Sequence, residues 1–270
     1  MNKEKELITY LKNIGLEVHT STKARGHQGF YIKNRIDISK NIPKERIIPT
    51  LLHEFAHYIH SELEPFMART GGTLQKLFNT ENTSIYEKEL LLVTNYVDKN
   101  SKFEILLLHK EKIKNQILEY EKIIKKKYPK FQRSKKFKEF DKYIKKSKAR
   151  YLLKYDRIKL VSGVLFKKVE TFSIDNIEKD FDISPEFAAY IRLKSCQKKQ
   201  ARVSAKINRL KKYYKKPTEL FARFVEGLYL NHDMIKNLAP HTYNKFFYLL
   251  NIGYYNELKN ISCYFNPKSL

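Results

Sequence analysis

Leu7, Ile8, Leu11 and Ile14 fall on one side of a 3.6-residue period, which predicts a short amphipathic helix over 3–14. The period then changes. LEVHT, GFYIK and RIDIS, between Leu16 and Ser39, are short β-leaning runs, and the last two meet at Lys33-Asn34, which predicts a hairpin. A helical period returns in NIPKERIIPTLLHEFAHYIHSEL, residues 41–63. Pro43 suits the first turn of that helix, where a missing N–H has no partner to lose, and Pro49 restarts or kinks it. TGGT at 70–73 breaks the chain. A further helix is expected over 84–100, with Ser84 as its cap and Glu87 three residues on, as in a capping box.

Beyond residue 102 the pattern stays helical, but its polar positions fill with lysine. FEILLLHKEKIKNQILEYEKIIKKKY keeps Ile and Leu at three- and four-residue spacing, and FKEFDKYIKKSKARYLLKYD does the same with aromatics. Pro129 lies between them, so 102–150 is expected to fold as a helical hairpin. Residues 158–183 turn β-leaning or irregular. A long helix then runs to Tyr214 from Pro185, with Ser184 as its expected N-cap. Pro217 ends it, and TELFARFVEGLYL starts another with Thr218 near the cap. No internal repeat of solenoid period is present. The fold class expected from these elements is α+β, mostly helical, with a small antiparallel sheet near the N-terminus.

Composition narrows this picture. With 42% hydrophobic residues among 270, including 19 Tyr and 17 Phe, the chain can bury a sizeable core and is not a disordered one. Its formal charge of +25 implies attraction to polyanions: nucleic acid, an anionic membrane surface or an acidic protein. A lysine excess in a Trp-free chain can equally reflect an AT-rich genome. Cys196 and Cys263 stand far apart without CxxC spacing, so no disulfide framework is expected and a reducing cytoplasm is the natural compartment. The charged start MNKEKELITYLKNIG does not read as a secretory signal, and no run reaches the ~18 apolar residues of a membrane span.

The chemistry is concentrated in LLHEFAHYIH, residues 51–60. Residues i and i+4 share a helix face, so His53 and His57 can aim both imidazoles at one Zn²⁺, with Glu54 beside the first ligand as general base. Zinc held there would acidify a water, Glu54 would take its proton, and a polarised carbonyl would be attacked. Leu51, Leu52, Phe55, Ala56 and Ile59 give the helix an apolar flank for burial. The competing reading is a core helix whose histidines hydrogen-bond elsewhere. Two imidazoles do not make a catalytic zinc site, which wants three protein ligands. None of His19, His27, His60, His109, His232 and His241 stands at HExxHxxGxxH spacing; His60 reads as a supporting or surface residue. A carboxylate is therefore sought.

The stretch IDIS…IIPTLLHEFAHYIH resembles the entry to the ImmA/IrrE-type, gluzincin-like metallopeptidases and their relatives on mobile genetic elements. The resemblance covers about residues 16–60 and 217–230. It implies a zincin-like domain with a third-ligand glutamate on a later ExxA helix, a form that PTELFARFVEGLYL fits with Glu219 and Ala222. Relatives carry that glutamate a few tens of residues after the motif, where this chain has Glu87 and Glu89, so both stay open as alternatives. With Glu219 as ligand, the chain divides into 1–101, which carries the motif helix, a basic helical insertion at 102–216, and 217–270, which completes the site. Glu226 would orient a ligand histidine. Tyr213 and Tyr214 are candidates for oxyanion stabilisation. Arg223 reads first as a structural ion-pair partner, and ARGHQGF at 24–30 as an approach to the hairpin.

In KKKYPKFQRSKKFKEFDKYIKKSKAR, Tyr128, Phe131, Phe137, Phe140 and Tyr143 alternate with lysines. They are either base-stacking groups on a nucleic-acid surface or core residues beneath a solvated lysine face. The function expected is zinc-dependent hydrolysis of a peptide bond in a protein or peptide substrate. The alternative is a nucleic-acid- or partner-binding protein with a structural or vestigial metal site.

Overall fold

The computed structural model describes residues 3–22, 28–98, 102–162 and 168–265, and the chain divides into two compact units. Met1–Lys99 and Lys211–Leu270 form the first; Asn100–Leu210 form the second.

The first unit opens with α1 (Lys3–Asn13) and β1 (Glu17–Thr22), followed by β2 (Gly29–Ile32) and β3 (Arg35–Ser39). β2 and β3 make the expected antiparallel hairpin, Gly29 opposite Ile38 and Ile32 opposite Arg35, closed through Lys33 at φ 53°. β1 differs from the antiparallel expectation. It runs parallel to β3, with Glu17 opposite Arg35 and His19 opposite Asp37, so the sheet is mixed with order β1-β3-β2. As the central strand, β3 buries Ile36, Asp37 and Ile38 in succession, a run that needs cover on both faces. A 3-10 turn at Lys44–Arg46 precedes α2 (Ile47–Leu63). Pro49 lies in the first turn of α2, so it restarts the helix without breaking it. α3 (Met67–Thr70), α4 (Leu74–Phe78) and α5 (Ser84–Val97) follow. The capping box does not form: the Ser84 amide and hydroxyl both donate to Asn82 Oδ1, at 3.3 and 3.0 Å, and Glu87 is exposed.

The second unit contains α6 (Lys102–Lys127), α7 (Lys135–Lys146), the antiparallel hairpin of β4 (Arg157–Ser162) and β5 (Lys168–Ser173), α8 (Ile177–Phe181) and most of α9 (Pro185–Tyr214). α9 is its spine. Ile124 of α6 and Phe137 of α7 pack on Ala189, Tyr190 and Leu193, while Ile113 meets Cys196, Val203 and Ile207. Phe131 and Phe137 are buried in these clusters, as the core reading requires, whereas Tyr143 is 64% exposed.

The last turn of α9 belongs to the first unit, which is completed by α10 (Pro217–Leu230), α11 (His232–Leu238), α12 (Pro240–Asn251) and α13 (Asn256–Lys259). Lys216, not Thr218, occupies the cap position of α10, without a side-chain hydrogen bond. One core joins α2, α5, α10 and α12 through Leu51, Phe55, Leu90, Phe221, Phe224 and Phe246. Each such side chain stabilises by about 1.5–3 kcal/mol when fully buried. Ala56 and Ala222 are both wholly buried. Cys196 and Cys263 are free thiols. Among the described residues no helix is long and apolar enough to cross a membrane.

Candidate metal centre

α10 is amphipathic in an unusual sense. Leu220, Phe221, Phe224, Val225 and Leu228 drive it into the core, yet Glu219, Arg223 and Glu226, at i, i+4 and i+7, form a charged stripe whose two carboxylates are buried and whose guanidinium is half-buried between them. That stripe meets α2. His57 Nε2 lies 3.4 Å from Glu219 Oε1 and His53 Nε2 lies 3.6 Å from Glu219 Oε2. One ligand atom from each of the three residues falls within 4.8 Å of the others, the one such group among the described residues. The structure thus brings His53, His57 and Glu219 together, across a separation of 162 residues between His57 and Glu219.

Glu226 fixes the first imidazole. His53 Nδ1 is 3.1 Å from Glu226 Oε2; a carboxylate only accepts, so Nδ1 carries a proton, and Nε2 faces Glu219. Burial and Arg223 lower this imidazole, but Glu219 and Glu226 on its two sides outweigh them and raise it to about 9. Glu226 is held in turn by Arg46 Nη2 at 2.6 Å and Arg223 Nη1 at 2.8 Å, and Arg223 also reaches Asp98 Oδ1 at 3.2 Å. Burial resists a charge on Glu226, but His53 and Arg223 outweigh it and hold the carboxyl well below its usual range. Glu219 behaves alike: burial raises it, while the two imidazoles and a hydrogen bond from the Tyr213 hydroxyl bring it down. Burial lowers His57 to about 4, so this imidazole is neutral, as a ligand must be.

Glu54 is buried on the sheet side of α2. Burial lifts its carboxyl to about 7, so it can hold or release a proton near neutrality. Gly29 of β2 gives it room: a Cβ there would stand 3.1 Å from Glu54 Oε1 and 2.7 Å from Thr50 Cγ2.

The alternative ligands are elsewhere. Glu89 accepts the amides of His241 and Thr242 at 3.2 and 2.7 Å and the Thr242 hydroxyl at 2.6 Å, which ties it to the start of α12. Glu87 is exposed. His60 is not a surface residue: it is wholly buried, 3.4 Å from Glu64 Oε2, under Gly72, whose φ of +71° and lack of Cβ let the loop close over the ring. His27 and most of ARGHQGF lie outside the described residues, but Gln28 Oε1 accepts from Arg46 at 3.3 Å. Arg223 is the structural ion-pair partner expected. Sequence reasoning missed Arg46, Asp98 and Gly29. The stripe spacing on α10 could signal Arg223 and Glu226, but nothing local marks the other three.

Fit to a cation can be judged from one atom. Glu219 Oε2 is buried without a hydrogen-bond partner, which is costly for an ionised oxygen. Two imidazole nitrogens and a carboxylate oxygen around it are the donor set of a three-ligand zinc site. The residues fit. No protein-family model, curated protein or solved structure matches this chain.

Proposed function

We propose that the chain is a zinc-dependent metallopeptidase of the ImmA/IrrE-like HExxH type, related to peptidase-like domains of mobile genetic elements and working in the cytoplasm. The observation that carries this reading is the meeting of Glu219 with His53 and His57, with its Oε2 buried and unpartnered. His53, His57 and Glu219 would hold the ion. Zinc bound there supplies Lewis acidity toward water and a substrate carbonyl. Glu54 takes up and returns the proton; Glu226 keeps the His53 Nε2 lone pair directed at the ion.

A peptide substrate suits the surroundings. Among the described residues β2 pairs on one side only, with β3, and its Gly29 stands against Glu54. Its other edge offers backbone donors and acceptors to an extended chain, which would pass the base at close range. Purified protein is expected to carry about one Zn²⁺ per chain, with loss of it in His53→Ala/His57→Ala and in Glu219→Gln, and retention in Glu87→Gln and Glu89→Gln. Unchanged metal content in the double variant would end the zincin reading.

The second reading, a polyanion-binding protein, draws on the charge of the second unit, where 31 of the 54 Lys and Arg residues sit against 13 of the 29 Asp and Glu. Affinity for nucleic acid should then fall steeply with salt. Absence of binding even at low salt would leave these lysines as solvated or protein-facing surface.

A further inference from the structure

The chain leaves the first unit just after Asp98 and returns to it at Lys211, and both crossings abut the metal site. At the exit, Asp98 Oδ1 lies 3.2 Å from Arg223 Nη1, Arg223 Nη1 lies 2.8 Å from Glu226 Oε2, and that same oxygen lies 3.1 Å from His53 Nδ1. Carboxylate, guanidinium, carboxylate and imidazole form one line, with all four side chains no more than 17% exposed. At the return, the last turn of α9 brings Tyr213 and Tyr214 near Glu219 and Asp98. All these groups belong to the first unit, and the ion-pair line joins the exit to one of the three ligand residues.

We infer that Asp98 is a positioning residue for the metal site: the stem that attaches the second unit holds His53 in its ligating orientation. This rests on the metal reading proposed above. Asp98 acts through Arg223. Without its charge the guanidinium loses one of two anchors, and Glu226, which depends on that guanidinium, no longer holds the His53 ring in one orientation. A salt bridge that served stability alone would have no reason to terminate on a ligand histidine.

The test uses the full chain and Zn²⁺, with affinity measured by competition against a chromophoric chelator and Co²⁺ as a spectroscopic probe. Asp98→Asn is expected to weaken Zn²⁺ binding by about tenfold, the lower end for residues that support ligands. It should alter the visible Co²⁺ spectrum while leaving the melting temperature of the metal-free chain close to wild type. Asp98→Glu, which keeps the charge, should restore affinity. If Asp98→Asn does not fold, Arg223→Lys, which replaces the guanidinium fork between the two carboxylates by a single ammonium, carries the test. Wild-type affinity and an unaltered Co²⁺ spectrum in the variants would overturn the stem's role and leave the metal site standing. A wild-type chain that binds neither ion would overturn the metal reading itself.

Discussion

The two units hold their charge in opposite ways. The second carries a formal +18 of the total +25, and its acids are spent in local surface pairs such as Glu111–Lys114 and Glu121–Lys125. Its core clusters contain no ionisable carboxylate or imidazole, and Ser195 is the one polar residue it buries among those described. The first unit carries only +7, yet buries Asp37, His53, Glu54, His60, Glu89, Glu219 and Glu226. Exposed charge costs little and contributes little, whereas each buried charge requires a partner. Net charge therefore points to one unit and chemistry to the other. The residues that a composition plot overlooks are those that define the site.

The contrast can be broken most directly at Glu54. Glu54→Gln should keep zinc and lose peptide hydrolysis by roughly 10²–10⁴-fold, while Lys→Gln changes on the second unit should leave the rate unaltered. Metal content and hydrolysis of an unstructured peptide pool decide this; a fully active Glu54→Gln would remove the base from its role. Next comes Gly29→Ala. A methyl 2.7 Å from Thr50 Cγ2 and 3.1 Å from Glu54 Oε1 must displace one of them, so a stability loss of about 1–3 kcal/mol and a slower enzyme with normal zinc content are expected. Denaturant titration with a parallel rate assay would detect either part.

Glu89 sharpens the comparison more finely. Burial pushes its carboxyl up, but hydrogen bonds from Thr242 and His241 prevail and hold it below 4.5. A depressed carboxyl contributes stability that is complete above the unfolded value and is lost as pH falls through the folded one. Glu89→Gln should thus cost about 1 kcal/mol at neutral pH and retain zinc, with its deficit against wild type shrinking as pH is lowered below 4.5. A deficit that stays constant down to acid pH would show that the carboxylate charge is not what α12 uses. The smallest effect belongs to the second unit. Lys114→Ala breaks an exposed pair and should move stability by less than about 0.5 kcal/mol in chemical denaturation.

How much of this was legible in the sequence varies with the range of the interaction. His53, Glu54 and His57 were readable because one helical turn fixes their mutual placement. Glu219 and Glu226 were readable as a charged stripe on an apolar helix, and only the resemblance and the spacing of Ala222 set Glu219 above Glu87 and Glu89. The direction of β1 was not readable, since alternation along a strand is the same in parallel and antiparallel ladders. Asp98 and Arg46 were hidden for a different reason: their partners are 125 and 180 residues away, brought close by the packing of α10 on α2 and α5. The burial of His60 depends on the fold of Gly72 over it, which a histidine in the last turn of a helix does not announce.

The separation of the two halves of the site also has a consequence in time. At the usual ~5–20 residues per second of synthesis, α10 emerges from the ribosome roughly 8–30 s after the histidines of α2. Until then His53 and His57 have neither Glu219 nor Glu226, and the apolar face of α2 has no α10 to pack against. A second unit that folds in the interval shortens the loop that α10 must close. The nascent chain therefore holds Glu54 and two imidazoles without a complete ion site, and under the proposed function hydrolytic competence would arrive only when that long detour has been translated.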